Sequence, residues 1–313
     1  MAIPKEWAIF ALHKIYMQMK SILSLAMALV SCLMANARVN GDVLELALAD
    51  YCAGKDAKIG VAVITDDGDT IAVNGHAEFP MLSVYKLPIA VAFGKHFIAA
   101  GEIVPEYITV TQADLHPDTY SPMRAVYDGI DSVDVTVHEL LTYSLQQSDN
   151  NASDILLKAM GGVGNVEVAL SGMGAEGISV LSTEDEMHAD NSLCYRNSTT
   201  PIDMARFVDV FDRECNDTFS MDVKLIMETC QTGTSRLIKP LAGTGAVVGH
   251  KTGTGFTLPD GRLMAVNDVG YVHLLDGRSY TIAVFVADSG YDMVHTEKLI
   301  ADISDLVYRH FIE

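Results

Sequence analysis

Ser83-Val84-Tyr85-Lys86 stands just after Pro80, where an extended segment gives way to the apolar run Leu87 to Ala99. The periodicity predicts a helix over 84–99. Ser and Lys three positions apart project from one face of its first turn, with Ser83 near the positive end of the helix dipole. A serine attacks a carbonyl only when a base takes its proton, and a lysine held beside it can do so. Alone, the same spacing describes a capping serine and a solvated lysine. The rest of the chain has to decide.

Upstream, Lys58 to Ile64 and Thr70 to Asn74 read as two strands joined by the turn Thr65-Asp-Asp-Gly-Asp69. Val43 to Ala49 reads as the end of a helix before them. Downstream, from Ser83 to about Thr229, the signals are helical: Val137 to Gln146, Ala152 to Met160, and Pro201 to Phe211 with Thr200 as its cap. Strands return with Val247 to Thr252, Arg262 to Leu274 and Tyr280 to Ala287, the last two joined by Leu275-Asp-Gly-Arg278, and Thr296 to Phe311 closes the chain as a helix. Strands at both ends with helices between imply that the late strands pair back onto the early hairpin. The expected fold is α/β in the α+β sense: an antiparallel five-stranded sheet flanked by helices, plus an all-helical subdomain, with the active site in the cleft between them. The expected boundaries are 38–82 with 232–313 for the α/β part and 83–231 for the helical part.

Two further motifs flank that cleft. Ser148-Asp149-Asn150 lies between two helical stretches, where a loop would present a hydroxyl and an amide; it also reads as an N-cap. Lys251-Thr252-Gly253 ends an apolar strand, where Lys251 and Thr252 would hold an anionic group and Gly253 would let a substrate lie along the strand edge. Each is weak in isolation. In this order, on helix start, loop and strand, the three motifs resemble the penicillin-recognising serine enzymes, the β-lactamases and penicillin-binding proteins.

The resemblance implies a β-lactamase/transpeptidase-like fold and a β-lactam as small-molecule substrate, opened through an acyl-enzyme on Ser83 with Lys86, Ser148, Glu184 and Lys251 as the other catalytic groups. Thr183-Glu184-Asp-Glu-Met-His188 falls where class A β-lactamases carry an omega loop, here about 178–200. Glu184 matches the glutamate that activates the deacylating water; His188 stands where the family has Asn, and Glu186 is the rival base. Either Lys86 or Glu184 could be the acylation base. Tyr120, Asn150, His188, Arg236, Thr252, Gly253 and Thr254 would contact substrate, with Ser235 a further candidate for its carboxylate and the Thr254 and Ser83 N–H groups forming an oxyanion hole. The family's loop is pinned by an Arg that is Ser182 here, so His188 or Asn197 must hold it instead. With ExxxH and KTGT, the chain is most similar to extended-spectrum cephalosporinases of Bacteroidetes. The alternatives are a D-alanyl-D-alanine carboxypeptidase or penicillin-binding protein, and a non-hydrolytic β-lactam sensor domain, which share the three motifs.

Composition is consistent with this. The 313 residues, 49% hydrophobic and 20% charged, suffice for a sizeable core. Lys14 and Lys20 precede the apolar run Ser21 to Leu33, and Ala35-Asn36-Ala37 offers a cleavage site, so 1–37 reads as a signal peptide to the periplasm. Leu29-Val30-Ser31-Cys32 also fits a lipid-attachment box, and no other membrane contact is expected. The net charge of −20 becomes −22 once Lys5, Glu6, Lys14 and Lys20 are removed, which argues against nucleic-acid partners. A monomer without metal or organic cofactor is expected. His138-Glu139 begins like a zinc motif but lacks the second His. Cys52, Cys194, Cys215 and Cys230 could form up to two disulfides or remain thiols, and Cys194 could be reactive.

Overall fold

The computed structural model describes residues 19–20, 41–173 and 175–312; the rest of the expected signal peptide, including Cys32, lies outside them. Five strands form the main sheet: β1 (Lys58–Thr65), β2 (Thr70–Val73), β3 (Val247–Thr254), β4 (Leu263–His273) and β5 (Ser279–Ser289). Their order is β2-β1-β5-β4-β3, antiparallel throughout, so β1 from early in the chain lies beside β5 from its end, with Lys58 opposite Ala287 and Thr65 opposite Tyr280. This is the sheet expected from the alternating segments.

The sheet is buried on both faces. Because successive side chains point to opposite sides, Val61, Val63, Ile282 and Val284 meet Leu44 and Leu48 of α1 (41–52) and Ile300, Ile303 and Val307 of the closing helix, whereas Ala62, Ala283 and Phe285 meet Phe79, Phe207 and Phe211. The closing helix spans Met293–Ile312, and Tyr51 of α1 donates to its Asp302 at 2.7 Å. A fully buried aromatic such as Phe285 contributes about 2–3 kcal/mol from area alone.

The helical part surrounds α2 (Lys86–Ala99), whose residues Lys86 to Gly94 are all buried. A helix apolar on every side belongs at a centre. At Gly94 a Cβ would fall 2.3 Å from the Phe219 ring, so α2 and the helix Thr218–Glu228 can approach only through glycine. This region is not all-helical as expected. Tyr107–Thr111 pairs with Ser132–Thr136, and Phe79–Pro80, Ser198–Thr199 and Ile178–Ser179 form a second small sheet. In Tyr-Ile-Thr-Val-Thr and Ser-Val-Asp-Val-Thr, β-branched residues alternate with exposed polar ones and favour a ribbon over a helix.

Candidate active site

The three motifs meet in one cleft of about 470 Å³, between the edge strand β3 and the helical part. Ser83 lies in a single tight turn, Leu82–Tyr85, that leads into α2. Leu82 there takes φ +48°, a left-handed conformation that only firm anchoring sustains. The anchors are Asn267 and Asn197. Asn267 of β4 is fully buried and donates through Nδ2 to Pro80 O and Met81 O at 2.9 and 3.1 Å, and Met81 N donates to Asn197 O at 2.8 Å.

Gly253 has a different reason from the one expected. A Cβ there would lie 2.4 Å from Met81 O, so the glycine admits the protein's own backbone beside Ser83 and thereby sets Thr254 against the nucleophile turn. Thr254 lines the cleft with Ser83.

Lys86 is fully buried; its Nζ donates to Ser148 O at 2.7 Å and Asn150 Oδ1 at 2.5 Å and makes an ion pair with Glu184 Oε1 at 3.1 Å. Lys251, equally buried, donates to Ser148 Oγ at 3.0 Å and to Thr252 O at 2.8 Å. Ser148 is thus held between two lysines, in a left-handed conformation with φ +61°. Burial, and then the neighbouring Lys86 charge, push the Lys251 ammonium down to about 7. The cap and cleft readings of Ser148-Asp149-Asn150 both hold, on different residues. Asp149 caps the helix Asn150–Ala159 by accepting from Ala152 N at 2.9 Å and also takes Ser121 Oγ and Met123 N, which ties the Tyr120 segment to the motif. Tyr120 is 60% exposed at the cleft mouth.

The expected omega loop contains a short helix, Glu184–Ala189. Its start is set by Thr183, which accepts from Glu186 N while Glu186 Oε2 accepts from Thr183 N at 3.0 Å. Glu186, the rival base, is therefore turned away as half of a capping box, and Glu184 points to Lys86. Asp154 supplies a second anchor, accepting from Glu184 N and Asp185 N at 2.9 Å each. Burial raises its carboxyl to about 7, against those two hydrogen bonds. Asn197 holds the loop as one of the two expected candidates; the His188 ring is exposed on the cleft wall, without a side-chain hydrogen bond among the described residues.

Arg236 borders the cleft yet is 4% exposed and committed inward: Nε to Glu297 Oε1 at 3.1 Å, Nη1 to Gly253 O and Asn267 O at 3.1 and 3.0 Å, and Nη2 to Thr254 Oγ1 at 2.7 Å. Ser235 does not line the cleft. Thr232 does, its Oγ1 2.6 Å from Thr252 Oγ1, and neighbouring Gly233 at φ +66° leaves room that a Cβ, 2.4 Å from Thr252 Cγ2, would remove. Thr232, Asn267 and Asp154 were not singled out from sequence. Lone polar residues carry no spacing signal, although Gly233 hinted at close packing. The four described cysteines are all free thiols.

A cleft-lining serine three residues before a fully buried lysine, a second buried lysine on a strand edge and a glutamate on a capped loop, set between an antiparallel sheet and a helical domain, define the serine hydrolases that react with β-lactams. The chain belongs to the β-lactamase enzyme family, whose model matches residues 43–311, and within it to class A. It is 35% identical over 268 residues to a β-lactamase of Bacteroides uniformis, spanning 85% of this chain and 90% of that one. It is 32% identical to the β-lactamase VEB-1 of Pseudomonas aeruginosa, over 87% of this chain and 91% of that one. The crystal structure of the TLA-1 extended-spectrum β-lactamase superposes with a TM-score of 0.83 at 33% identity, covering 88% of this chain and all of that one. The protein hydrolyses β-lactams as a class A enzyme, EC 3.5.2.6, an activity that confers antibiotic resistance.

Proposed function

We propose that the protein is a periplasmic, monomeric extended-spectrum cephalosporinase of the type found in Bacteroidetes, working through an acyl-enzyme on Ser83. The observation that carries the mechanism is the Lys86–Glu184 ion pair at 3.1 Å, with the Lys86 Nζ also donating to Ser148 O and Asn150 Oδ1. Glu184 Oε1 accepts no hydrogen bond among the described residues, so its lone pairs are open to a water's proton. That assigns the proton-accepting role in the resting site to Glu184, acting on Ser83 through a water with Lys86 as the electrostatic partner.

The substrate carboxylate docks at Lys251 and Thr252, with Thr232 sharing the Thr252 hydroxyl. Gly253 lets the strand approach. The β-lactam carbonyl enters the hole formed by the N–H groups of Ser83 and Thr254, where developing negative charge is stabilised as the ring opens. Ser148, between Lys251 and Lys86, passes a proton to the leaving nitrogen. Glu184 then activates a water against the ester. Asn150 orients Lys86 and faces the substrate side chain, Tyr120 and His188 wall the cleft, and Arg236 supports the strand end under Thr254 rather than meeting substrate directly. No metal or organic cofactor enters this scheme.

Support for the cephalosporin preference comes from the extended-spectrum relatives: the Pseudomonas aeruginosa protein PER-1, named an extended-spectrum β-lactamase, is 34% identical over 85% of this chain. Export is supported by the amino-terminal sequence, with lipidation of Cys32 as the alternative route to the same compartment. Mass spectrometry of the mature protein mixed with a chromogenic cephalosporin, alongside steady-state rates for a penicillin, tests the reading. Rapid hydrolysis with a transient adduct on Ser83 and a larger kcat/KM for the cephalosporin is expected. A long-lived adduct without turnover, or a penicillin preference, would overturn it.

A further inference from the structure

Two walls of the cleft, the Tyr120 segment and the omega helix Glu184–Ala189, hang separately from the helix Asn150–Ala159. Among the described residues, one hydrogen bond or ion pair runs directly between them: His116 Nδ1 lies 3.0 Å from Asp185 Oδ1. Both ends are held. Pro117 disfavours helical backbone at His116, and the buried amide of Asn151 grips His116 on two sides, Oδ1 accepting from His116 N and Nδ2 donating to His116 O, each at 3.2 Å. On the other wall, Asp154 Oδ2 accepts from Asp185 N at 2.9 Å. Asn151 and Asp154 are three residues apart on one helix, so the two walls start from neighbouring points. From there the chain reaches Thr119 and Tyr120 on one side and His188 on the other, all of which line the cleft.

We infer that the His116–Asp185 contact is a strap that sets the gap between the Tyr120 and His188 walls, and thereby the largest acylamino side chain the cleft admits. Neither residue lines the cleft, so both are positioning residues that determine specificity through Tyr120 and His188. In the proposed docking, on which this strap depends, the substrate's side chain lies toward Asn150 between these walls.

An imidazole Nδ1–H donates to a carboxylate whether the ring is neutral or charged, so the strap needs no particular protonation state. The two side chains are 41% and 54% exposed, and solvent screens such a pair. Cutting it therefore alters selection severalfold and leaves the fold in place. Glu184 keeps its own anchors when the strap is lost: Asp154 Oδ1 still accepts from Glu184 N at 2.9 Å, and the Thr183–Glu186 capping box still starts the helix. Turnover of a small substrate is thus preserved while the mouth widens for a large one.

The test compares two penicillins that share one nucleus, benzylpenicillin with a small side chain and piperacillin with a bulky one, so the cephalosporin preference is not at stake. His116→Ala and Asp185→Ala should each raise the piperacillin-to-benzylpenicillin ratio of kcat/KM by about two- to fivefold. The change should fall on KM, with kcat for benzylpenicillin unaltered. The double variant should do no more than either single one, because both cut the same contact. His116→Asn, whose amide N–H takes the place of Nδ1, should keep the wild-type ratio. Tyr120→Ala is the control for docking and should move the same ratio. Two single variants on opposite walls keep the test intact where one fails to fold. A ratio moved by Tyr120→Ala but by neither strap variant, or additive effects in the double variant, would overturn the strap alone. A ratio moved by none of them would overturn the docking on which it depends.

Discussion

Asn197 grips Ser182 with both ends of its amide: Oδ1 accepts from Ser182 N at 3.0 Å, and Nδ2 donates to Ser182 O at 2.8 Å. The same oxygen accepts from Leu181 N at 2.8 Å. Replacing Asn197 by Leu strands three backbone groups beside a buried side chain, at a cost of about 2–4 kcal/mol. Thermal unfolding should show that loss. Acylation and deacylation should both slow, because the loop carries Glu184, which serves both steps; unchanged rates in burst kinetics would count against the clamp.

Glu184 and Glu186 are two residues apart and have opposite assignments. Glu184→Gln should lower turnover by about 10²–10⁴ and let a Ser83 adduct build up in the mass spectrum, because Lys86 remains as a second group to take the Ser83 proton whereas the deacylating water loses its base. Glu186→Gln should keep near-normal turnover, since an amide still accepts from Thr183 N. The reverse pattern would exchange their roles.

Asp154 provides a pH signature. Its carboxyl is raised to about 7 in the folded protein, largely by burial, whereas the unfolded chain titrates near the ordinary value of about 4. Between these values the native state holds the extra proton, so its contribution is fully present below about pH 4 and is lost as pH rises through about 7. Asp154→Asn should flatten this part of the stability profile, measured by urea unfolding from pH 4 to 8. An unchanged slope would assign the proton elsewhere.

Arg236 ends on Glu297 and on two carbonyls of the sheet. Arg236→Ala should therefore destabilise the protein by about 3 kcal/mol and release Thr254, as seen in both unfolding and a raised KM. A change in KM with stability untouched would mean that the arginine serves substrate rather than the strand end.

Gly253→Ala forces a Cβ toward Met81 O, 2.4 Å away in the present backbone. Separation of β3 from the Ser83 turn should cut the acylation rate by about tenfold to a thousandfold, the scale of a spoiled oxyanion hole. Stopped-flow acylation with a slow substrate measures it.

The elements legible in the sequence were those whose burial follows a simple period. Val61, Val63, Ile282 and Val284 mark strands, and Leu87 to Phe93 mark a central helix. Ser83, Lys86, Ser148, Asn150 and Lys251 were legible because their chemistry demands fixed local spacing. Tyr107–Thr111 and Ser132–Thr136 were missed because each is half exposed and gains its order from the other. Asn267, Thr232 and Asp154 could not be found for a related reason. Each acts across a long gap in sequence, Asn267 on Met81 and Asp154 on Glu184, and a contact of that kind leaves no trace in neighbouring residues.

The pairing of β1 with β5 sets a timetable for synthesis. The ribosome makes Lys58 more than two hundred residues before Ala287, yet the two stand opposite each other in the sheet. Until the last strand emerges, β1 lacks its inner neighbour and Thr254 has no frame to hold it near Ser83. A chain still being made is therefore chemically inert, and premature termination between Glu184 and Ser279 leaves a polypeptide carrying Ser83, Lys86 and Glu184 but no enzyme.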